Sequence, residues 1–277
     1  MKSIYLDMNV YSEYIYKDRS LNAFVSNLIS EFKSNGLQFL YSPAHIEEVA
    51  LILGSDKEIN KANGYIENIL ENISKITNNY ECLPTCKEII IKQENPKVCY
   101  KRVIDGYLLT SIAEINEKFG VQCKRENVDN MLSNYDINRN EIGSIEAGKL
   151  FSDKIVSKIY FDFIKIHNLK IEKWQTIQNH HKKIEQNISV LFDFLEAIGY
   201  KSSGSKEYRS MMHDVTHAIY GTKSDILITN DIRFKLRLEA IYNYLQIPTK
   251  VFLLKELDNN EKLNDLFDFL EINKESF

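Results

Sequence analysis

Two short apolar segments, almost at opposite ends of the chain, each run into an aspartate. Ser3-Ile4-Tyr5-Leu6 is followed at once by Asp7, and Ile226-Leu227-Ile228-Thr229 is followed two residues on by Asp231. Short apolar runs of this kind read as buried strands, and the absence of a polar alternation suits a sheet covered on both faces. In open parallel sheets the ligand crevice lies beyond the carboxyl ends of the strands. Any fold for this chain therefore has to bring two carboxylates from distant parts of the sequence to one sheet edge.

The rhythm around those segments fits. Leu21, Phe24, Val25, Leu28, Ile29 and Phe32 recur at helical spacing, with Asn35-Gly36 as the stop. Leu37 to Tyr41 reads as a second strand. Ser42-Pro43 then opens a helix that carries His45, Glu47 and Glu48. Near the other end, Met211 to Tyr220 reads as a helix, Asp231 to Leu245 as another, and Val251 to Leu254 as a last strand before an amphipathic helix. Strands alternating with helices make this an α/β chain with a parallel sheet and helices on both faces. Residues 1–54 and 206–277 form the expected core, and residues 55–205 an all-helical insertion. Three apolar stripes support the insertion: Ile66 to Ile76, Tyr107 to Phe119, and Ile171 to Ile198. Only the stretch from Cys86 to Lys92 has strand character there.

Bulk properties exclude some classes. Of the 277 residues 44% are apolar, enough for a buried core, and no uncharged run approaches the roughly 20 residues of a membrane span. An acidic residue at position 7 argues against a signal peptide, so the expected location is cytoplasmic. A net charge of −4 gives no global attraction for nucleic acid, and any such surface has to be local. Cys82, Cys86, Cys99 and Cys123 lack the paired spacing of common zinc sites and are expected as free thiols.

Asp214 opens the helix before the second Asp-terminated strand, and Glu48 lies on the helix after the second strand, which puts four carboxylates at one edge. Such a group repels itself unless a cation sits within it. Oxygen ligands favour Mg²⁺ or Mn²⁺, and such an ion suits hydrolysis of a phosphodiester. Asn at position 9 argues against a phosphatase that needs a second aspartate there, and no Gly-x-Gly-x-x-Gly follows the first strand to suggest a dinucleotide site.

IYLDMN, YSPAHIEEV and HDVTHAIYGTKSDILITND resemble the three acidic motifs of PIN-domain nucleases. The resemblance covers residues 1–54 and 206–255, and the central region has no counterpart in it. It implies a metal-dependent endoribonuclease, with Asp7, Glu48, Asp214 and Asp231 as the four acids that hold Mg²⁺ or Mn²⁺. Asn9 and Thr229 match polar positions lining the site, and Glu47 competes with Glu48. His45 and His217 share helix faces with Glu48 and Asp214 at a spacing of three, either as working groups or as buried polar neighbours. Arg233, Lys235 and Arg237 begin just past Asp231 and are candidates for phosphate contact. His181 is expected in the core or an interface, and the run His180 to Lys183 as a solvated face or an RNA contact. RNA is the expected substrate, with DNA cleavage or an inactive binding module as the alternatives. A restraining partner protein and self-association through the helical block stay open at this point.

Overall fold

The computed structural model describes residues 2–16, 19–55, 59–107, 132–202 and 208–271. Four strands form one sheet in the order β2-β1-β5-β6, every neighbouring pair parallel. Here β1 is Ser3–Leu6, β2 Gln38–Leu40, β5 Ile226–Thr229 and β6 Lys250–Leu253. The two Asp-terminated strands are thus adjacent at the centre: Leu6 faces Ile228, and the Asp7 amide donates to the Ile228 carbonyl at 2.9 Å.

Alternation along the strands divides the interior in two. Ile4, Leu6, Phe39, Tyr41, Ile226 and Ile228 belong to one apolar cluster, while Tyr5, Leu40 and Leu227 belong to the other. Successive side chains of a strand point to opposite faces, so both faces of the sheet are covered. The first cluster is completed by the helices Met8–Ile15, Asn22–Ser34, Ile59–Thr77 and Asn260–Leu270. The second takes in the helices His181–Ala197 and Ile232–Leu245, with Ala218 to Tyr220 of the helix Tyr208–Gly221. The central stretch therefore feeds both cores: Ile66, Ile69 and Ile73 pack with Ile4, and Ile184, Leu191 and Leu195 share a cluster with Tyr5.

Two expectations for that stretch change. It is not all helical: β3 (Tyr80–Pro84) and β4 (Ile89–Gln93) form an antiparallel hairpin. The hairpin hooks onto the end of β2, where Tyr41 donates to the Tyr80 carbonyl and accepts from the Cys82 amide. β3 is Tyr-Glu-Cys-Leu-Pro with its two buried residues adjacent, so it shows no two-residue alternation to read. The long stripe from Ile171 to Ile198 is also two helices, Trp174–Ile177 and His181–Ala197. His180 between them is extended, and the His181 amide donates at 2.7 Å to Lys87 at the hairpin turn. His181 accordingly anchors the hairpin through its ring as well, Nδ1 lying 3.1 Å from the Thr85 carbonyl. Of the stripe from Tyr107 to Phe119, all but Tyr107 lies outside the described residues, as does Cys123.

The helix ends read from glycine are met by backbone geometry. Gly36 has φ +72°, and the next amide, Leu37, reaches back to the Phe32 carbonyl. Gly199 has φ +70°, and Tyr200 reaches back to Leu195 in the same way. Both are left-handed caps that glycine adopts without a Cβ penalty. No described helix is long and apolar enough to cross a membrane.

Candidate metal centre

Asp7 sits where β1 ends and the helix Met8–Ile15 begins, and it is 7% exposed. Its Oδ1 accepts from the Met8 amide at 2.7 Å, which makes it the cap of that helix. Its Oδ2 accepts from Asn9 Nδ2 at 2.6 Å and from Thr229 Oγ1 at 2.7 Å. Asn9 Oδ1 in turn accepts from the Asn230 amide at 2.8 Å. Asn9 and Thr229 thus lace the ends of β1 and β5 together around the carboxylate, the supporting positions expected of them.

Glu48 and His217 complete a cluster with Asp7. His217 Nε2 lies 2.6 Å from Glu48 Oε1 and 3.8 Å from Asp7 Oδ1. One ligand atom from each of the three residues falls within 4.8 Å of the others. Two ligands at right angles around an ion, each about 2.1 Å away, stand about 3 Å apart. The two distances from His217 bracket that value, so small side-chain shifts suffice for the three to share an ion. The donor set, two carboxylates and an imidazole, fits a divalent cation. It also replaces the oxygen-only set expected from the acids, because nitrogen joins the cluster where Asp214 and Asp231 do not.

The other ring nitrogen of His217 is held from behind. Nδ1 lies 2.7 Å from the Tyr5 hydroxyl, which lies 2.7 Å from Ser42 Oγ, which lies 3.3 Å from His45 Nδ1. Proton directions follow from the ends of this chain. The Ser42 amide can only donate, so His45 Nδ1 accepts. The Leu6 carbonyl can only accept, so His45 Nε2, at 2.7 Å, donates. That tautomer leaves His45 Nδ1 one lone pair, which the Ser42 amide uses and Ser42 Oγ can only share; when it shares it, Tyr5 donates to Ser42 and His217 Nδ1 donates to Tyr5. His217 Nε2 is then the nitrogen directed at Asp7 and Glu48. A ligating histidine commonly donates its second N–H in this manner.

Burial and charge pull the titrating groups apart. Burial alone lowers His217, but the Glu48 hydrogen bond and the charges of Asp7, Glu48 and Asp214 outweigh it and raise the group. Burial raises Glu48, yet the hydrogen bond and charge of His217 bring it below its ordinary value. Asp7 is raised by burial, against the pull of His217. His45, fully buried beside His217, is driven down to about 3 and stays neutral. It is a structural polar residue, with its ring edge-on to His217 at 4.8 Å.

The remaining candidates lie around the cluster. Asp214 is pushed up to about 7, by burial first and then by the charges of Asp7 and Asp231, against Arg237. Its Oδ2 is 3.8 Å from Arg237 Nη1. Asp231 caps the helix Ile232–Leu245, its Oδ1 accepting from the Arg233 and Phe234 amides at 2.7 and 3.2 Å. Glu47 is outside the cluster that Glu48 joins. Arg233 is exposed, Lys235 pairs with Glu239 and Glu256, and Arg237 is 1% exposed.

No family model, curated protein or solved structure matches this chain. The chemistry of the centre therefore rests on its own donors. Two contributors escaped sequence reading, Tyr5 and Ser42. A single aromatic hydroxyl between Ile4 and Leu6 was the available signal for Tyr5, and Ser42 was legible only as a helix start.

Proposed function

We propose that this chain is a metal-dependent nuclease that hydrolyses phosphodiester bonds in RNA, of the PIN-like kind that its acidic motifs resemble. One observation carries the reading. Asp7, Glu48 and His217, from three separate parts of the sequence, converge within 4.8 Å at the carboxyl edge of a parallel sheet. Ligands bind at that edge in open α/β sheets.

When bound, a divalent ion supplies charge for the phosphoryl oxygens and lowers the pKa of water. Asp7, Glu48 and His217 would hold it, and the nitrogen donor favours Mn²⁺ over Mg²⁺. The Tyr5–Ser42–His45 chain keeps His217 turned with Nε2 towards the ion. Asn9 and Thr229 fix the Asp7 carboxylate, so that little reorganisation accompanies binding. Asp214, which burial raises to about 7 against the pull of Arg237, is the group beside the cluster that can carry a proton. Exposed Arg233, beside Asp231, contacts the backbone phosphates of the substrate.

The test is cleavage of single-stranded, hairpin and duplex RNA and DNA with Mn²⁺, Mg²⁺ or EDTA. Asp7→Asn and Glu48→Gln proteins are run beside the wild type. Metal-dependent RNA cleavage lost in both variants is the expected result. Preference for DNA would move the substrate class, and nucleic-acid binding with no cleavage under any metal would make this a binding module.

A further inference from the structure

Among the described residues Arg237 is a buried charge with little to satisfy it. Its side chain is 2% exposed, yet its Nε and Nη2 have no hydrogen-bond partner. Nη1 is 3.8 Å from Asp214 Oδ2, and Nη2 is 3.5 Å from Glu196 Oε2, at the end of the helix His181–Ala197. The guanidinium lies over the Phe192 ring, 4.7 Å from its centre. Asp193, beside it on the same helix, is raised to about 6 by burial, with Arg237 the main opposing charge. A buried guanidinium stays charged at every working pH. It is packed between the helical layer and an acid of the metal centre, so it cannot swing away to solvent.

The position has a consequence for metal content. In centres with a pair of divalent ions the second lies about 4 Å from the first and is held by further carboxylates. The carboxylates available here are Asp214 and Asp231. Asp231 Oδ1 accepts from two backbone amides, which leaves Oδ2 as its one uncommitted oxygen, while Asp214 already faces a fixed positive charge. A second dication would have to enter beside a guanidinium that can neither leave nor lose its proton, against like-charge repulsion in a poorly solvated place.

We propose that Arg237 serves as the fixed second cation of this centre, holding Asp214, so that the chain takes up one divalent ion and not two. It is a positioning residue, remote from bulk solvent, and the inference rests on the metal-dependent reading above. The single ion belongs to Asp7, Glu48 and His217.

The experiment is a Mn²⁺ titration of the full chain, with free ion read by electron paramagnetic resonance, so that no activity is needed. Wild-type protein is expected to bind one Mn²⁺, Arg237→Lys one, and Arg237→Gln a second, weaker ion. In the wild-type background Asp214→Asn should shift affinity by less than about threefold, a through-space charge effect. His217→Ala should weaken it at least about tenfold, as loss of a ligand does. If Arg237→Gln fails to fold, the Asp214→Asn and His217→Ala pair decides alone, since both keep Arg237. Two ions on the wild type, or an Asp214→Asn loss as large as that of His217→Ala, would overturn the role of Arg237. No Mn²⁺ on the wild type would instead remove the metal-dependent reading, and this inference with it.

Discussion

His217 and Glu48 stand 169 positions apart in the sequence, and His217 Nε2 meets Glu48 Oε1 at 2.6 Å, with Asp7 Oδ1 at 3.8 Å from the same nitrogen. The pair joins the helix after β2 to the helix before β5. Without a metal it is an ion pair, with the imidazole raised and the carboxylate lowered by each other's charge against the effect of burial. With a metal the same two side chains must exchange a shared proton for a shared cation.

That exchange predicts a pH dependence of stability that metal reverses. A raised histidine stabilises below its unfolded pKa, and the effect is lost as pH climbs through the raised folded value. Asp214, raised to about 7, acts in the same sense, because its buried charged form is disfavoured as pH rises. Glu48, lowered, stabilises above its unfolded pKa and loses that contribution as pH falls through its folded value. His45, driven down to about 3 and neutral in the fold, works the other way up to its unfolded pKa of about 6.5, so the metal-free fall in stability belongs between about pH 6.5 and about pH 8, where Mn²⁺ should offset it. Thermal melts with EDTA and with Mn²⁺ across that range measure this. A metal-free melting temperature that climbs steadily from about pH 6.5 to about pH 8 contradicts the ion pair.

Tyr5→Phe removes one oxygen from a fully buried position and breaks the chain between Ser42 and His217. His217 Nδ1 and Ser42 Oγ each lose a partner. Leaving buried polar groups unpaired costs about 1–3 kcal/mol, and loss of a partner behind a ligating histidine costs about 10–100-fold in metal affinity. Urea denaturation and a Mn²⁺ titration read the two effects separately. Unchanged metal affinity would mean that Tyr5 only fills space.

Asp231 has a cap role that is separable from any chemical one. Asparagine caps helices about as well as aspartate, whereas alanine in this position costs about 0.5–2 kcal/mol. Asp231→Asn should thus melt with the wild type, and Asp231→Ala clearly below it. If the Asp231 charge serves the centre, cleavage falls in both variants by about tenfold or more. Full activity in Asp231→Asn would leave Asp231 as a helix cap alone.

Much of this fold was legible because the decisive signals were local. Leu6 and Thr229 end apolar strands, and Gly36 and Gly199 end helices, each within a few residues of the feature that defines it. The hairpin Tyr80–Gln93 was not legible in the same way. In β3 the consecutive Glu81 and Cys82 are both buried, on opposite faces, and its register is set by pairing with β4 and by Tyr41, none of which shows as periodicity. At the centre, Asp7 and Glu48 could be placed from strand and helix order. The ranking of the acids could not, because whether Asp214 meets an ion or Arg237 depends on a residue packed beneath it from another helix. His217 was visible only as a neighbour at helical spacing, while its hold on Glu48 is a tertiary contact.

Asp7→Asn separates stability from function most sharply. Burial raises the Asp7 carboxyl, so the charged form is disfavoured where it stands. Its oxygens accept from the Met8 amide, Asn9 and Thr229, three donors that an asparagine Oδ1 can satisfy only in part. The amide removes the buried charge and its repulsion from Glu48, but it also loses the attraction to His217 and turns an NH₂ towards donors, an arrangement that costs about 1–3 kcal/mol for a misplaced buried group. The two effects oppose each other and are of similar size, so metal-free stability should stay within about 1 kcal/mol of the wild type. Mn²⁺ should then fail to stabilise the variant, although it raises the melting temperature of the wild type by mass action. Melts of both proteins with and without Mn²⁺ decide it: an equal metal-dependent rise in the two would show that the ion binds somewhere other than Asp7.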